Sequence, residues 1–582
     1  MKNTEDTVVE EKITEGDREV SEESEAADEE ENVEPAPRVA RRQAQVVMED
    51  ESDEEELPLC LPIINGVEEH DYVDDDGGGV SQYETTAAAD ARERKEAKTK
   101  SKVDVPDELK YTMYDGSQDF EEKHEFEYRY RGYHKFLCHL SGHTPEKLAY
   151  DQWLDVMEYI VYCYNKRIVQ ERTHIKKLTL GVLCKWYGIR IYISLFKRPR
   201  EEDYWKKIDL GNNFLICSME QFMSYRDYKE IKSNLRFEDY ATKTADDMKD
   251  KAWKVRTIFN MMKQKCRYHM PAPGEFISVD EAMMKYFGRR SPISKSMPAK
   301  PIKRGFLFYC GVDYETKWVF DINLSDSAYD DMDFSSTLWG KTGQRVLDLT
   351  NWLPGRWYIV VIDNLYSSEP LAIELRSRYR YVLGTLRKNR LPPGRPDAMM
   401  TKSKHPKPTA RCPKGTIQAS VNASGTIAFL SFMDSGLVYL LDTAYGPGLI
   451  STVTRRQGNR SQDLVVYEAI AKYNAFMGGV DAFDALRTGY FAIEMVGRTS
   501  RWTVRFVDGM FNFGLTQAWV AYRYNNKNKA HHGRFEFMVA IMKAFLHNTL
   551  DEKVVMHVPL TRAQEADAAH HDHYKNHQLI YL

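Results

Sequence analysis

The sequence has few cysteines and no cysteine motif that predicts a metal site. Eight cysteines occur in 582 residues, and none of them forms a CxxC pair. This pattern is typical of reduced thiols in an intracellular protein, not of a disulfide framework. No cysteine follows Cys412, and structural zinc usually requires paired thiolates. We therefore expect no zinc module, and an exposed tail that carries His570, His571, His573 and His577.

Long apolar segments are also missing. The N-terminal stretch MKNTEDTVVEEK has no apolar core of the kind found in secretory signals. No uncharged apolar run reaches the length of about 18 residues that a membrane-spanning helix needs. The sequence predicts neither secretion nor a membrane partner.

Basic residues are scarce only at the beginning of the chain. Residues 1–104 contain 12 Lys and Arg against 33 Asp and Glu, a net charge of −21, whereas the remainder carries +15. An acidic arm on a basic body is common in proteins that meet nucleic acid. The alternative at this point is a solvated tail on an ordinary enzyme.

Composition and periodicity divide the chain into segments. Residues 1–107 are acidic and poor in aromatics, which predicts disorder. Residues 108–270 show apolar residues at intervals of three and four, as in YDQWLDVMEYIVYCYNKRI, which predicts a helical domain. Residues 271–390 contain short apolar runs that alternate with helical patterns, an order typical of a mixed α/β sheet covered by helices.

The second half of the chain interrupts this sheet. Residues 391–462 begin with a Pro- and Lys-rich loop and contain a predicted hairpin that turns at Asp434-Ser435-Gly436, and we interpret them as an insertion. A helical pattern returns in residues 463–495, which complete the sheet domain, and in residues 496–550, which complete the helical domain. Residues 551–582 form the polar tail.

Carboxylates mark the predicted catalytic site. Asp280 and Asp363 end two apolar runs that we predict as strands, and sites in α/β sheets form at strand ends. Asp481 and Asp484 follow Gly478-Gly479 with the three-residue spacing that places both on one helix face. Clustered carboxylates with few His or Cys residues favour Mg²⁺ or Mn²⁺.

A lone aspartate at a strand end is more often a turn former or a helix cap. We keep that structural interpretation for Asp313 and Asp321, which also fall near predicted strands. Spacing alone does not separate Asp280 and Asp363 from such residues.

Several motifs resemble those of the piggyBac transposase family. YNAFMGGVDAFDALR (473–487) is similar to the family's signature around its third catalytic aspartate, VIDNLYSS (361–368) to the second motif and SVDEAMMKYFGR (278–289) to the first. MPAKPIKRGFLFYCGVDYETKWVFDINL (297–324) and GTLRKNRLPPG (384–394) resemble the stretches that follow the first and second motifs. The likeness runs from about residue 215 to about residue 525.

The resemblance implies an RNase H-like catalytic core with an insertion domain, embedded in a split helical dimerisation and DNA-binding domain. It implies that Asp280, Asp363 and Asp481 hold two Mg²⁺ (or Mn²⁺) ions, with Asp484 as a supporting carboxylate. The implied reaction is metal-dependent cleavage of double-stranded DNA at transposon ends, hairpin formation and strand transfer at TTAA sites. A homodimer and residence in the nucleus are expected on the same basis.

Basic and aromatic residues surround the motifs and are candidates for phosphate and base contacts. The candidates are Arg289, Lys303, Arg304, Arg387, Lys388, Arg390, Arg498, Arg501 and Trp502. The alternatives are a solvated basic face, and for Trp502 a place in the helical core.

The missing cysteine-rich terminal module is a departure from many family members, and we expect a truncated or domesticated copy to look like this. Two main hypotheses remain: a DDD transposase, and a transposase-derived DNA-binding or chromatin protein that no longer transposes. An unrelated metal-dependent phosphohydrolase is a remote third, disfavoured by the basic body and the helical flanks.

Overall fold

The computed structural model describes most of the chain between Asp107 and Asn548. The described residues are 107, 110–127, 137–209, 215–216, 218–270, 272–288, 290–298, 300–325, 337–457, 460–489, 491–496, 499–526 and 533–548. The predicted acidic arm, apart from Asp107, and the predicted polar tail lie outside them, as do Arg289 and Arg498.

In the described residues, four helices precede the strands at the middle of the main sheet, and local chemistry explains where three of them begin. Thr144, Thr179 and Ser224 accept hydrogen bonds from backbone N–H groups in the first turns of the first three, which satisfies donors that have no partner within the helix. The helices are α1 (Pro145–Glu171), α2 (Leu180–Leu195), α3 (Tyr225–Asn234) and α4 (Arg256–His269).

The prediction that residues 108–270 are helical was wrong at two places. Tyr111–Met113 forms strand β1, and the short strands β2 (Ile208–Asp209) and β3 (Leu215–Ile216) pair with each other. β1 is extended because it pairs with a strand of the main sheet, a contact that local periodicity cannot reveal.

The centre of the molecule is a ten-stranded mixed sheet. Its middle contains five strands in the spatial order β7-β6-β4-β8-β9. β4, β6 and β7 are antiparallel neighbours, whereas β8 runs parallel to β4 and β9 parallel to β8. These strands are β4 (Phe276–Lys285), β6 (Arg304–Asp313), β7 (Val319–Leu324), β8 (Tyr358–Ile362) and β9 (Arg380–Thr385). The short strand β5 (Ser294–Ser296) pairs with the first residues of β6.

The segment predicted as an insertion extends this sheet. Three of its strands continue the sheet beyond β9: β12 (Leu437–Asp442) pairs with β9, β11 (Ala428–Met433) with β12, and β10 (Ile417–Asn422) with β11. Strand β1 pairs with β10 and forms the edge of the sheet. The predicted hairpin with its turn at residues 434–436 is confirmed as β11 and β12. Strands β13 (Ile450–Gln457) and β14 (Arg460–Tyr467) form a separate two-stranded ribbon. The stretch DLVVY (463–467), which we predicted as helical, is the second half of β14, since it pairs with β13 along its length.

Helices cover the sheet and complete the helical body. Helix α5 (Gly340–Thr350) packs on β6 and β7, and α6 (Glu369–Ser377) packs beside β9. After the ribbon come α7 (Glu468–Phe476), α8 (Gly479–Thr488), α9 (Trp502–Asn525) and α10 (Arg534–Leu546). Helix α9 is buried over most of its length.

Helices from the two ends of the described chain pack against each other. Phe511 of α9 lies with its ring centroid 5.1 Å from that of Trp153 in α1 and 4.3 Å from that of Tyr187 in α2. Phe545 of α10 stacks on Tyr150 of α1 at 5.0 Å. The helical body is therefore assembled from segments on both sides of the sheet.

None of the helices in the described ranges is long and apolar enough to span a bilayer.

Candidate functional site

Asp280 and Asp363 lie side by side on neighbouring parallel strands. The register pairs Val279 of β4 with Ile362 of β8, so the next residue on each strand is an aspartate. Neighbouring strands are about 4.8 Å apart, and residues in register point to the same face. Both side chains are partly buried. Two residues far apart in sequence thus become neighbours through sheet pairing alone.

The prediction that Asp280 ends its strand was wrong. β4 continues to Lys285, because Asp280 and the residues after it keep their pairing with β6. What ends near Asp280 is only the parallel pairing with β8, whose last residue is Ile362. Asp363 does follow the end of its strand, as predicted.

Asp363 is held by its own loop and by the next strand. Its Oδ1 accepts a hydrogen bond from the backbone N–H of Asn364 at 2.5 Å and from Thr385 Oγ1, at the end of β9, at 3.2 Å. Thr385 in turn lies 3.2 Å from the hydroxyl of Tyr473 in α7. The backbone carbonyl of Asp363 accepts the N–H groups of Tyr366 and Ser367. These contacts fix one carboxylate orientation.

Asp481 is brought to the same face by a close approach of helix and strand. Gly479, at the start of α8, lies so close to β4 that a Cβ atom there would be 2.2 Å from Ser278 Oγ. Ser278 precedes Asp280 by two residues and so shares its face of the sheet. Asp481 stands two residues after Gly479, in the first turn of α8. This contact explains the glycine at position 479, but it does not explain the glycine at position 478, where a Cβ atom would meet nothing within 4 Å.

Asp484 is bound to an arginine. Its Oδ1 accepts hydrogen bonds from Arg487 Nε at 3.0 Å and from Nη2 at 2.7 Å. The buried Arg487 guanidinium also donates to Glu494 Oε2 at 2.5 Å and to the backbone carbonyl of Met283 at 2.6 Å. Asp484 therefore contributes to an ion-pair network that ties α8 to β4, and its support for the other aspartates is indirect.

The aspartates raise one another's proton affinity. Burial raises the pKa of Asp280, and the carboxylates of Glu281 and Asp481 raise it further, whereas Lys300 lowers it. Burial also raises the pKa of Asp481, with Asp484 and Asp363 adding to the effect and Lys300 opposing it. A carboxylate responds in this way when negative charge is close and not fully compensated. We call Asp280, Glu281, Asp363 and Asp481 the acidic centre.

Lys300 reaches the acidic centre from a turn between β5 and β6. Its Nζ donates to the backbone carbonyl of Glu281 at 2.9 Å and lies 3.1 Å from Glu281 Oε2. Burial lowers the pKa of Lys300, but Asp280, Glu281 and Asp481 together raise it above the usual value. The sequence predicted no role for Glu281, Thr385 or Tyr473, and it did not predict this contact of Lys300. Only the position of Glu281 next to Asp280 could have signalled such a role.

The donor set of the acidic centre fits a hard divalent cation. Its ligands would be carboxylate oxygens, the type that Mg²⁺ and Mn²⁺ prefer. Across the described ranges, no three His, Cys, Asp or Glu side chains already converge as a bound metal ion requires. The chemistry of the residues fits the ion, and side-chain rotation would have to draw the oxygens together.

Part of the predicted basic surface borders Asp363. Arg387 Nε donates to Asn364 Oδ1 at 2.8 Å, and Arg390 donates to the backbone carbonyl of Leu365 at 2.6 Å. Arg387 and Lys388 are exposed next to these contacts. Lys303 and Arg304, also predicted, lie at the start of β6; Lys303 is exposed and Arg304 partly buried. Arg289 and Arg498 lie outside the described residues.

Two predicted DNA contacts are engaged elsewhere. Trp502 is 8% exposed and packs 6.3 Å from Phe306, between ring centroids, so its ring is part of the core and is not open to a base. Arg501 donates to the backbone carbonyls of Lys232, Ser233 and Leu235, where it binds the carbonyls left unpaired at the end of α3. These contacts give no support to a DNA contact by either residue, and the expectation stays a prediction.

The two aspartates kept as structural are structural. Asp313 is buried and accepts the backbone N–H groups of Gly274 and Thr316 at 2.8 Å each, which closes the turn after β6. Asp321 is buried and pairs with Lys263 and Arg267 of α4. Neither takes part in the acidic centre.

Comparisons with known proteins show the family and the fold of this chain. The family model described as Transposase IS4 matches residues 150–519, which is 370 of the 582 residues. The human protein PiggyBac transposable element-derived protein 2 is 24% identical over 375 residues, covering 63% of this chain. The match spans 59% of that relative, less than two thirds of its length.

A solved structure shows the same fold. The cryo-EM structure of a piggyBac transposase synaptic complex with hairpin DNA aligns with a TM-score of 0.57 and 19% sequence identity. The alignment covers 74% of this chain and 86% of that chain. Together with the strand order β7-β6-β4-β8-β9, it identifies the sheet and its helices as an RNase H-like core. The chain belongs to the Transposase IS4 family, in its piggyBac-type branch.

Proposed function

We propose that this protein is a metal-dependent DNA transposase that cleaves double-stranded DNA at transposon ends, forms a hairpin and joins the end at TTAA sites. Asp280, Asp363 and Asp481 are the proposed catalytic residues. The observation that carries the proposal is the position of Asp280 and Asp363 directly after the paired residues Val279 and Ile362 of two parallel strands, together with the close approach of α8 to β4 two residues before Asp481.

Each proposed ligand has a distinct support in the fold. Asp363 is oriented by Asn364 and Thr385, Asp280 by the rigid strand pairing on both sides of β4, and Asp481 by the contact of Gly479 with Ser278. When bound, two divalent ions at such a site activate a water or hydroxyl and stabilise the leaving oxygen of a phosphodiester. The three aspartates would hold Mg²⁺ or Mn²⁺ ions.

The basic residues beside the centre have the chemistry to bind the DNA backbone. Arg387 and Lys388 are exposed directly after the strand that supports Asp363, and Lys303 is exposed near the turn that carries Lys300. Guanidinium and ammonium groups bind phosphate oxygens, and this binding fixes the position of a duplex without reading its sequence. We propose that these three residues place a phosphodiester over the acidic centre.

A nicking assay tests the proposed function. Purified protein is incubated with labelled DNA carrying piggyBac-type terminal repeats, with Mg²⁺ or with EDTA. The wild-type protein and the control Asp397→Asn, an exposed carboxylate outside the acidic centre, are expected to nick this DNA. Asp363→Asn is expected to bind it and leave it intact. Tight binding by the wild-type protein without nicking would overturn the proposal in favour of a transposase-derived DNA-binding protein.

We also propose a homodimer and nuclear residence. The dimer is tested by light scattering of the purified protein with and without the terminal-repeat DNA, where a monomer in both states contradicts it. Residence in the nucleus is tested by fluorescence of a tagged full-length chain.

A further inference from the structure

We propose that Lys300 is an internal counter-cation of the acidic centre, which compensates its charge in the absence of metal and limits its affinity for divalent ions. The inference rests on the proposed function, because the divalent-ion site that Lys300 affects is the site proposed for catalysis.

Geometry places the ammonium group at the acidic centre. Lys300 Nζ is within hydrogen-bonding distance of both the backbone carbonyl and the carboxylate of Glu281, the residue next to Asp280. The lysine side chain is 25% exposed and that of Glu281 is 7% exposed, so the pair is largely withdrawn from water. An ion pair so placed is screened much less than one on the surface.

The turn that carries Lys300 holds it in place. The N–H of Lys300 donates to the carbonyl of Met297 at 3.0 Å, and the N–H of Met297 donates to the carbonyl of Lys303 at 2.8 Å. Pro298 and Pro301 stand on either side of Lys300, and proline restricts the backbone. Such a turn holds the backbone of Lys300 in place. Little further conformational entropy is therefore lost when its ammonium group binds Glu281.

The net charge of the acidic centre explains why it needs a cation. Asp280, Glu281, Asp363 and Asp481 are four acidic groups, and the ammonium group of Lys300 lies 3.1 Å from a carboxylate oxygen of one of them, Glu281. One positive charge does not neutralise four carboxylates. The centre thus keeps negative charge for divalent ions, while the fixed ammonium group opposes each ion that enters.

The test measures ion binding directly. Full-length wild-type protein, Lys300→Met and Lys300→Arg are titrated with MnCl₂ alone, and binding is followed by thermal unfolding and by the loss of free Mn²⁺ signal in electron paramagnetic resonance. Lys300→Met removes the charge and keeps a chain of similar length, whereas Lys300→Arg keeps the charge. Lys303→Met, on the same turn but exposed, controls for loss of a nearby positive charge.

We expect Lys300→Met to unfold at a lower temperature than wild type without metal, and to bind Mn²⁺ at least about tenfold more tightly, because a like charge has been removed at short range. Lys300→Arg and Lys303→Met are expected to keep the wild-type affinity for Mn²⁺. Equal or weaker Mn²⁺ binding by Lys300→Met overturns the inference, and so does a wild-type protein that binds no Mn²⁺. If Lys300→Met loses its fold, the affinity of Lys300→Arg decides, and a change of about tenfold there contradicts the inference.

These outcomes are separate from those of the nicking assay. Tighter Mn²⁺ binding by Lys300→Met in a protein that does not nick DNA supports the counter-cation and overturns the proposed function. Nicking by wild type, combined with unchanged Mn²⁺ affinity in Lys300→Met and weaker DNA binding, supports the function and assigns Lys300 to the phosphate backbone instead.

Discussion

At the scale of single residues, the acidic centre depends on a few side chains whose surroundings are unfavourable for folding. Burial and the neighbouring carboxylates raise the pKa of Asp280, so its charged form costs free energy in the folded state, and the same effects act more weakly on Asp481, whose side chain is exposed. Sites of this kind exchange stability for function. Removing one of these charges tests both properties at once.

Asp280→Asn and Asp481→Asn are each expected to reduce DNA nicking by about a thousandfold or more, since a ligand to the ions is lost. Neither variant is expected to be less stable than the wild type, because the repulsion within the centre falls. Nicking rates and urea unfolding of the same preparations check this. A variant that nicks normally would remove that aspartate from the site.

Gly479→Ala is expected to destabilise the protein by about 1–3 kcal/mol, since its Cβ would lie 2.2 Å from Ser278 Oγ and α8 must shift. Gly478→Ala is the matched control, because a Cβ there meets nothing within 4 Å. Ser278→Ala in the Gly479→Ala background is expected to restore part of the stability. Urea unfolding measures all three, and equal stability of the two glycine variants would contradict the close approach.

At the scale of secondary-structure elements, sequence patterns predicted whether a segment is helix or strand better than they predicted which elements it pairs with. The long helices and the β11–β12 hairpin follow from periodicity and turn residues. The strand DLVVY was not predicted, because it is extended through its pairing with β13, which the periodicity of the segment itself does not reveal. The continuation of β4 past Asp280 was missed for the same reason, since it is the pairing with β6 that keeps this segment extended.

Most buried contacts between elements were not predicted from the sequence. The resemblance gave the three aspartates, and the three-residue spacing of Asp484 and Arg487 allows their pairing within α8, but nothing in the sequence decides between the core and a DNA contact for Trp502. Such roles are decided by which helices meet, and residues from distant parts of the chain meet at α9. The three aspartates that the fold brings to one face could be named from the resemblance, and their catalytic role stays a prediction, whereas most of their partners could not be named.

A histidine pair links the end of α4 to the short turn Cys138–Leu140 before α1 and predicts sensitivity to acid. His139 Nε2 lies 3.1 Å from His269 Nδ1, the rings stack, and burial lowers the pKa of both, with His143 and Lys265 adding to the effect and Asp151 opposing it at His139. Because the folded pKa values are depressed, their contribution to stability is complete above the unfolded value of about 6.5 and is lost as pH falls below it.

Between pH 6.5 and the lowered pKa of the folded state, the free energy of unfolding is expected to fall by about 1 kcal/mol per pH unit for the buried His269, and by less for the exposed His139. His269→Gln should remove its share of that slope. Urea unfolding at pH 7.5 and pH 5.5 measures the difference between wild type and variant, and His547→Gln is a control on a histidine outside the pair. Parallel losses in all three proteins would show that the pair does not titrate in this range.

At the scale of the whole molecule, the sheet joins parts that the sequence suggested were separate. Residues 391–462 were predicted as an insertion domain, and three of their strands pair onward from β9 in the same sheet. β9 is thereby an interior strand, with apolar residues buried on both faces. The limits of the domains stay a prediction, but the continuity of the sheet makes its parts interdependent.

Replacing residues 391–462 with a flexible linker is expected to produce aggregated protein, because β9 would become a long apolar edge strand. Replacing only residues 455–462 with Asn-Gly, between the paired Thr454 and Asp463, should keep a soluble and cooperatively unfolding chain. Size-exclusion chromatography distinguishes the two. A soluble, cooperatively folded protein after the larger deletion would refute this role of the extension.

The packing of Phe511 against Trp153 has a consequence for synthesis on the ribosome. The two residues are 358 positions apart, so at about 5–20 residues per second α1 waits roughly 20–70 s for its partner to emerge. During that interval the nascent chain presents an uncovered aromatic surface to the cytosol. Molecular chaperones that bind such surfaces are therefore expected to accompany this protein until α9 leaves the exit tunnel.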